Sequence, residues 1–502
     1  MKKNDNLPLN YRERNNSRIS LIASVVVLAI LCLIFNQIDN VMIRKPAAQA
    51  KKAAEAQQET EDETAAATPE VSTVTVVAVG DNLVQPSLLS SGQYDSGLWN
   101  YEHVFENIKS DIQSADIAMV NQETPFTTSH DAVSGTAPYA TPTEMGDALV
   151  SAGFNVVTSA TALIDDNGSE MISQTLDYWN TSHPEVTLLG IHESQEDADT
   201  VKVMEVNGIK IAFLNYTFPS TDNTGSTDSG YVIDTFNSQT VASAIQNAKA
   251  SADCVIFAAN WGRAEEPMPT EYEKQWANFL MQQGVDVVIG TNPNVLQPYG
   301  YLTDDEGHNM LLYYSLGNFV TGQETLKQLL GGMAKFTIQK TTTGDETSVE
   351  ITDATLEPLV MHYNYEDSAY TPYKLSDYTE SLASSHSVLD IIGDEFSLEN
   401  LQTKYDEIMS MNVTPSAKTS LLDVIFDSDG NMSDADGNYI EDTDSITSVE
   451  YYQNLSSGGS SDSSDGEASD DSYSGDGYDD GYSDDESYSD DGYSYDESFD
   501  YE

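Results

Sequence analysis

Between residues 73 and 320 the chain repeats one pattern, a short uninterrupted apolar run followed by polar residues. The runs are TVTVVAVGDN from Thr73, DIAMVN from Asp116, NVVTSA from Asn155 and IKIAFLNY from Ile209. DCVIFAANW from Asp253, VDVVIGTN from Val285 and MLLYYSLGNF from Met310 complete the set. Apolar runs this short, without polar alternation, are strands buried on both faces. Between them lie stretches with helical spacing: TEMGDALVSAGF, which stops at Gly153, SEMISQTLDYWN, and PTEYEKQWANFLMQQG from Pro269 to Gly284. Each carries its own start or stop residues. Buried strands alternating with helices predict an α/β fold, and the about 290 residues from 73 to 365 are enough for a sizeable core.

Composition removes several alternatives. The chain has 502 residues, with 83 Asp and Glu against 21 Lys and Arg, for a formal charge of −62. Such a surface repels phosphate backbones, so no nucleic-acid function is expected. Two cysteines exclude a disulfide scaffold. Cys254, inside an apolar run, reads as a buried structural thiol.

The N-terminus points to a membrane. Lys2, Lys3, Arg12, Arg14 and Arg18 precede the apolar run Ile19 to Phe35. At ~1.5 Å per residue that run is about 25 Å long, near the lower limit for a bilayer span. Residues 1–18 then read as a cytoplasmic N-terminus, 19–36 as an uncleaved single-pass anchor, and 37–72 as an Ala- and Glu-rich stalk. A cleaved signal peptide would need small residues soon after the core, and Ala48 and Ala50 come late. A lipoprotein would use Cys32, but Leu31 stands where a small residue is wanted. The expected location is the cell membrane, with the C-terminal domain extracytoplasmic.

Sites in α/β sheets form at the carboxyl ends of strands. Those ends carry Gly80-Asp81, Asn121 with Glu123, the 159–168 loop with Asp166, Asn260-Trp261-Gly262, and residues 290–294 with Asn292 and Asn294. Any one of these is equally a helix cap or a turn residue. Five strand ends together suggest one composite site.

Taken in order, these stretches resemble the capsule-synthesis CapA family, associated with poly-γ-glutamate and capsule polymers. VAVGDN resembles its strand ending in Gly-Asp, and SADIAMVNQETPF its "AD…NLE-P" stretch. AGFNVVTSATALIDDNG resembles "AGFDVVSLANNHALDYG". The span from Asp253 to Tyr299 resembles "HWG-E…Q…A…GADVVIGHHPHVLQP", and YYSLGNFV its "YSLGNF" close. The resemblance covers residues 73–365. It implies a calcineurin-like metallophosphatase fold, a two-sheet α/β sandwich with a dinuclear metal site, and places Asp81 at a ligand position.

The departures fall on the metal ligands. The family's "NNH" aligns with Thr161, Ala162 and Leu163, the His of "HWG" with Asn260, and "GHHPH" with Gly290-Thr291-Asn292-Pro293-Asn294. None of the seven histidines (His103, His130, His183, His192, His308, His362 and His386) lies in these motifs. Imidazole is what holds Zn, Fe or Mn in mixed N/O sites, and without strong ligands a metal cannot make a nucleophile of bound water at neutral pH. The remaining set is Asp81, Asn121, Glu123, Asp166, Asn260, Asn292 and Asn294, all oxygen donors of the kind that suits Ca²⁺ or Mg²⁺. Two readings stand: a vestigial polar network, or a hard-cation site held by Asp81 and Glu123. No cofactor follows from the sequence beyond that Ca or Mg alternative.

Residues 366–455 form an acidic extension outside the resemblance, with a helix expected over SLENLQTKYDEIMSMN. Two DxDGN units follow, Asp427, Asp429, Asn431 and Asp434, Asp436, Asn438. They read as tight turns or as a weak calcium loop, although position 12 from Asp427 is Asn438 and not the Glu of an EF-hand. Residues 456–502 are a Ser/Asp/Gly/Tyr repeat expected to be disordered.

The expected protein is therefore a membrane-anchored CapA-like component of surface-polymer assembly. It binds or scaffolds, and any contact with an anionic polymer runs through bridging cations. A CapA-type hydrolase or transferase using Asp81, Glu123 and a hard cation is the first alternative. A cell-surface interaction protein acting through its tail is the second.

Overall fold

The computed structural model describes residues 9–52, 68–94, 96–219, 230–367, 369–416, 422–426, 432–434 and 438–440. The tail, much of the stalk, and Asp427, Asp429, Asn431 and Asp436 lie outside the described residues. Helix α1, Leu9–Ile38, carries the apolar run. It continues through a π-helical stretch, Asp39–Arg44, into helical residues 45–52. Leu21, Leu28, Leu33 and Phe35 are exposed, and among the described residues this is the one helix long and apolar enough to cross a membrane.

Two mixed sheets make the α/β core. The first is built on β1 (Glu70–Asn82). On one side β1 runs parallel to β2 (Ile117–Gln122), followed by β3 (Val156–Thr158) and β4 (Thr187–Leu189). The second contains β5 (Lys202–Val206), β6 (Ile209–Thr217), β7 (Cys254–Asn260), β8 (Val287–Thr291), β9 (Tyr299–Thr303) and β10 (Asn309–Tyr313). Its order is β9-β10-β8-β7-β6-β5, with β6, β7, β8 and β10 mutually parallel. The chain then returns to the first sheet as β11 (Asn318–Val320), β12 (Leu330–Thr343), β13 (Glu346–Asn364) and β14 (Ala369–Lys374). There β11 pairs parallel with β1, while β12, β13 and β14 add antiparallel.

Strand alternation assigns the layers. On β7, Cys254 and Ile256 join one core with Val76, Ala78 and Met333 of the first sheet. Val255, Phe257 and Ala259 face the opposite way, into a second core with the helices α4 (Ser238–Ser251) and α5 (Glu271–Gln283). The sheets therefore pack face to face, with helices outside. On the outer face of the first sheet lie α2 (Thr143–Ala152), stopped by a left-handed Gly153, and α3 (Ser169–Ser182). Helix α5 begins on a Thr270/Glu273 capping box and ends at left-handed Gly284.

The residues beyond 365 continue this architecture. Strand β14 closes the edge of the first sheet, and α6 (Leu398–Met409) buries Leu401 and Ile408 in the main core. Three short antiparallel strands, β15 (Ile425–Phe426), β16 (Met432–Ser433) and β17 (Tyr439–Ile440), flank the two DxDGN units. Asp434 accepts from Asn438 N at 2.8 Å and from its Nδ2 at 2.9 Å, which is turn geometry for this unit.

Two glycines hold the strand ends together. A Cβ on Gly80 would stand 1.8 Å from Gly317 O, and one on Gly290 1.8 Å from Tyr314 O. The GD and SLGNF motifs are thus two sides of one backbone contact, sealed by Asp81 N donating to Gly317 O at 3.0 Å. Gly80→Ala must push these backbones apart. It is expected to cost about 3 kcal/mol or more, like other severe overpacking, seen as a lowered denaturant midpoint.

The extension is tied down by two buried histidines. His362 Nδ1 meets the Tyr378 hydroxyl at 2.9 Å, and His386 sits between Met361 O at 3.0 Å and Val388 N at 3.0 Å. Burial pulls His362 down to about 4 and His386 to about 3. Both are depressed below the unfolded value of ~6.5, so the unfolded chain binds more protons at mild acidity. Their stability contribution is complete above about pH 6.5 and falls as pH drops towards 4. Urea midpoints measured between pH 7 and 4 should show this loss, and His362→Gln should reduce it.

Candidate functional site

The predicted residues converge where the parallel strands of both sheets end. Asp81 is the last residue but one of β1, with Asn121 of β2 beside it in register and Asn318 of β11 on its other flank. Asn260 closes β7, between Thr217 of β6 and Thr291 of β8. Beyond β8 the chain turns through Asn292 (φ 93°) and Asn294 (φ 59°), left-handed positions that Asn tolerates better than most residues. The turn aims Asn292 N and Asn294 Nδ2 back at Asp81.

One amide organises the centre. Asn121 Nδ2 donates to Asp81 Oδ1 at 2.8 Å and to Glu123 Oε2 at 2.6 Å. The Thr158 hydroxyl donates to Asn121 Oδ1 at 2.8 Å, which fixes which end of the amide faces the carboxylates. Asp81 also accepts from Asn294 Nδ2 at 3.1 Å and from Asn292 N at 3.3 Å. Glu123 Oε2 accepts a second bond from Asn260 Nδ2 at 3.0 Å. Asn260 Oδ1 in turn accepts from Ala162 N at 3.1 Å and from the Thr217 hydroxyl at 2.9 Å. Asp81, Glu123, Asn260, Asn292 and Asn294 are fully buried.

Burial pushes Asp81 up to about 6, against the pull of its amide donors. Glu123 is pushed up further, by burial and then by the neighbouring Asp81 charge. Two carboxylates sharing one amide nitrogen resist losing both protons, so the second proton is held to higher pH than an isolated carboxyl would hold it.

Six of the seven predicted residues belong to this network. Asp166 does not: its Oδ2 accepts from Tyr139 N at 3.3 Å in the next loop, and burial raises it to about 6. The resemblance sets Thr161, Ala162 and Leu163 against the family's "NNH". The Thr161 hydroxyl donates to Glu123 O at 2.8 Å, and Leu163 packs with Leu83 and Tyr139. The sequence reading missed Glu273. It is fully buried, raised to about 7 by burial, and packed against Gly262 behind the Asn260 turn. Its signal was present as the Thr270-x-x-Glu273 capping box.

The site does not fit a two-metal centre. Amide hydrogens already point at both oxygens of Asp81 and at Glu123 Oε2, where a cation would have to sit. Among the described residues no group of three or more His, Cys, Asp or Glu is placed to hold a metal ion. Glu123 Oε1 and Asn292 Oδ1 remain as buried acceptors without partners.

Residues 75–323 match the family described as bacterial capsule synthesis protein PGA_cap, and the chain belongs to that family. It is 24% identical to the PGA biosynthesis protein CapA of Bacillus subtilis (strain 168), across 51% of this chain and 67% of that protein. It is 26% identical to the capsule biosynthesis protein CapA of Bacillus anthracis, across 35% of this chain and 42% of that one. Among solved structures, the NAD nucleotidase of Haemophilus influenzae aligns over 67% of this chain and 60% of its own. That alignment has 11% identity and a TM-score of 0.33, too low to carry an argument.

The network makes two substitutions informative. Asn121→Leu strands two buried carboxylates and is expected to cost at least about 3 kcal/mol. Glu123→Gln keeps an acceptor and removes the charge. A carboxyl whose folded pKa is raised contributes stability below its unfolded pKa and loses it as pH rises through the folded value. Thermal melts from pH 5 to 9 should therefore fall more steeply for the unmodified protein than for Glu123→Gln.

Proposed function

We propose that the protein is a membrane-anchored, extracytoplasmic component of capsule or poly-γ-glutamate assembly that acts by binding or scaffolding. The observation that carries this reading is that amide donors occupy both oxygens of Asp81 and Oε2 of Glu123 in a fully buried site. Hydrolysis by a metal-activated water requires an accessible cation with an open coordination position. Family membership and the names of the Bacillus relatives support the polymer context. The apolar helix α1, preceded by Lys2, Lys3, Arg12, Arg14 and Arg18, supports an anchor with its N-terminus in the cytoplasm.

One observation favours the alternative of a hydrolase or transferase using a hard cation. Glu123 Oε1 is a buried acceptor without a partner, and Ca²⁺ or Mg²⁺ accepts all-oxygen ligands. Elemental analysis of the purified protein separates the two. The scaffold reading expects substoichiometric divalent metal and a melting temperature unmoved by EDTA, whereas one retained ion per chain would replace it with the alternative. In cells, folded Glu123→Gln should sustain the surface polymer at the unmodified level, and its loss would mark Glu123 as catalytic.

The charge sets the mode of binding. A chain of −62 meets a polyanion only with counterions between them. Binding of purified poly-γ-glutamate is expected to require millimolar Ca²⁺ or Mg²⁺ and to vanish in EDTA.

A further inference from the structure

A short loop covers the Asn292–Asn294 turn. Residues 262–268 join β7 to α5 between buried Trp261 and buried Pro269, and none of them is itself buried. None of their side chains joins a hydrophobic core, so polar contacts hold the loop in place. Glu265 N donates to Pro293 O at 2.8 Å. Lys327 clamps Glu265 twice, through Oε2 at 2.9 Å and through O at 3.0 Å. Asn292 Nδ2 donates to Trp261 O at 2.9 Å and to Gly262 O at 3.2 Å. Gly262 (φ 86°) and Glu265 (φ 62°) are both left-handed, a conformation that Glu holds only where surrounding contacts impose it. A segment with few apolar contacts and a handful of polar ties is the kind that opens locally.

Against the base of this loop lies Glu273. Its carboxyl is fully buried, and a Cβ on Gly262 would stand 2.5 Å from Oε1. Oε2 accepts from Thr270 N at 2.6 Å and from the Thr270 hydroxyl at 2.7 Å, whereas Oε1 has no donor. Lys274 and Glu271 of its own helix pair with each other at 3.6 Å. Tyr314 faces it from beyond β10 as a neutral phenol. Gln297 also faces it, and donates Nε2 to Glu266 O of the loop at 3.0 Å. Arg263 of the loop is itself engaged. With a proton the carboxyl is neutral, and its packing against Gly262 is tolerated. Without one, Oε1 carries buried charge that water must serve, and the loop stands in the way of water. Burial raises this carboxyl to about 7.

We propose that residues 262–268 are a lid over the Asn292–Asn294 turn and that ionisation of Glu273 opens it. The closed lid holds a proton that the open lid releases, so rising pH favours opening. Opening takes Gly262 O away from Asn292, the residue whose N faces Asp81, and brings water to the edge of the Asp81–Glu123 network. External pH thereby sets access to that network.

Trypsin reads the lid through Arg263. Full-length protein in detergent is digested briefly at about pH 6 and pH 8.5, a range that brackets the Glu273 titration. Cleavage after Arg263 is normalised to cleavage after exposed Lys52, which cancels the pH response of the protease. A carboxyl at about 7 in the closed form and ~4.3 in the open form gives about tenfold more opening at the higher pH. Glu273→Gln keeps a capping-box side chain and is expected to flatten this step. Lys327→Met removes the clamp on Glu265 and is expected to raise cleavage at both pH values while keeping the step. Unchanged cleavage in Lys327→Met overturns the lid, as does equal acceleration after Lys335 and Lys340, which reports loosening of the whole domain. A flat or absent step in the unmodified protein, or a full step in Glu273→Gln, overturns the role of Glu273. Should Glu273→Gln not fold, the unmodified profile and Lys327→Met still decide. None of these outcomes depends on the polymer-assembly reading.

Discussion

The amide nitrogen of Asn121 stands between two buried carboxylates, and the carboxyl ends of both sheets are arranged around it. Its two hydrogens serve Asp81 of one strand and Glu123 of the following loop. Through them it reaches the Asn292–Asn294 turn on one side and Asn260 on the other. Inside a protein such bonds are stronger than in water, and an unserved carboxylate is correspondingly expensive. The network therefore either holds nearly complete or fails as a unit. It also links the sheets directly, because Asn260, Asn292 and Asn294 lie on or beyond strands of the second while Asp81 and Asn121 lie on the first.

Backbone packing makes that network possible. The first-sheet strands that carry Asp81 and Asn318 approach so closely that Gly80 has no room for a Cβ against Gly317 O. Gly290 meets Tyr314 O in the same way. The Asn side chains of this site donate hydrogen bonds to the two acids, so N–H dipoles face the buried carboxyls. Leu163, in the loop that follows β3, is buried with Leu83 and Tyr139 in an apolar cluster.

Much of this was readable from the sequence, for identifiable reasons. Each apolar run became a strand because strands buried on both faces need no alternation, and Gly153 and Gly284 marked helix ends through left-handed backbone conformations few residues share. The composite site was legible because strand ends converge in any parallel sheet. Asp166 was misplaced relative to it because position in a loop does not fix which way a carboxylate turns. Glu273 was passed over because a capping-box Glu normally sits at the surface, and only the three-dimensional packing of Gly262 against it reveals its burial. The His192–Asp234 pair was invisible for a related reason: its members are 42 residues apart and meet only through a two-residue ladder.

The charge distribution constrains how such a domain can work. Among the described residues several lysines are already paired with acids: Lys335 and Lys374 share Asp111, Lys340 holds Asp253, and Lys327 holds Glu265. The salt bridge at Asp111 pulls that carboxyl below its ordinary value, so these lysines neutralise the domain's own acids. A lysine committed to an intramolecular carboxylate must break that pair before it can hold an external one, so these four lysines are not free to bind a polyanion. Attraction to an anionic polymer then has to come from ions recruited between the two.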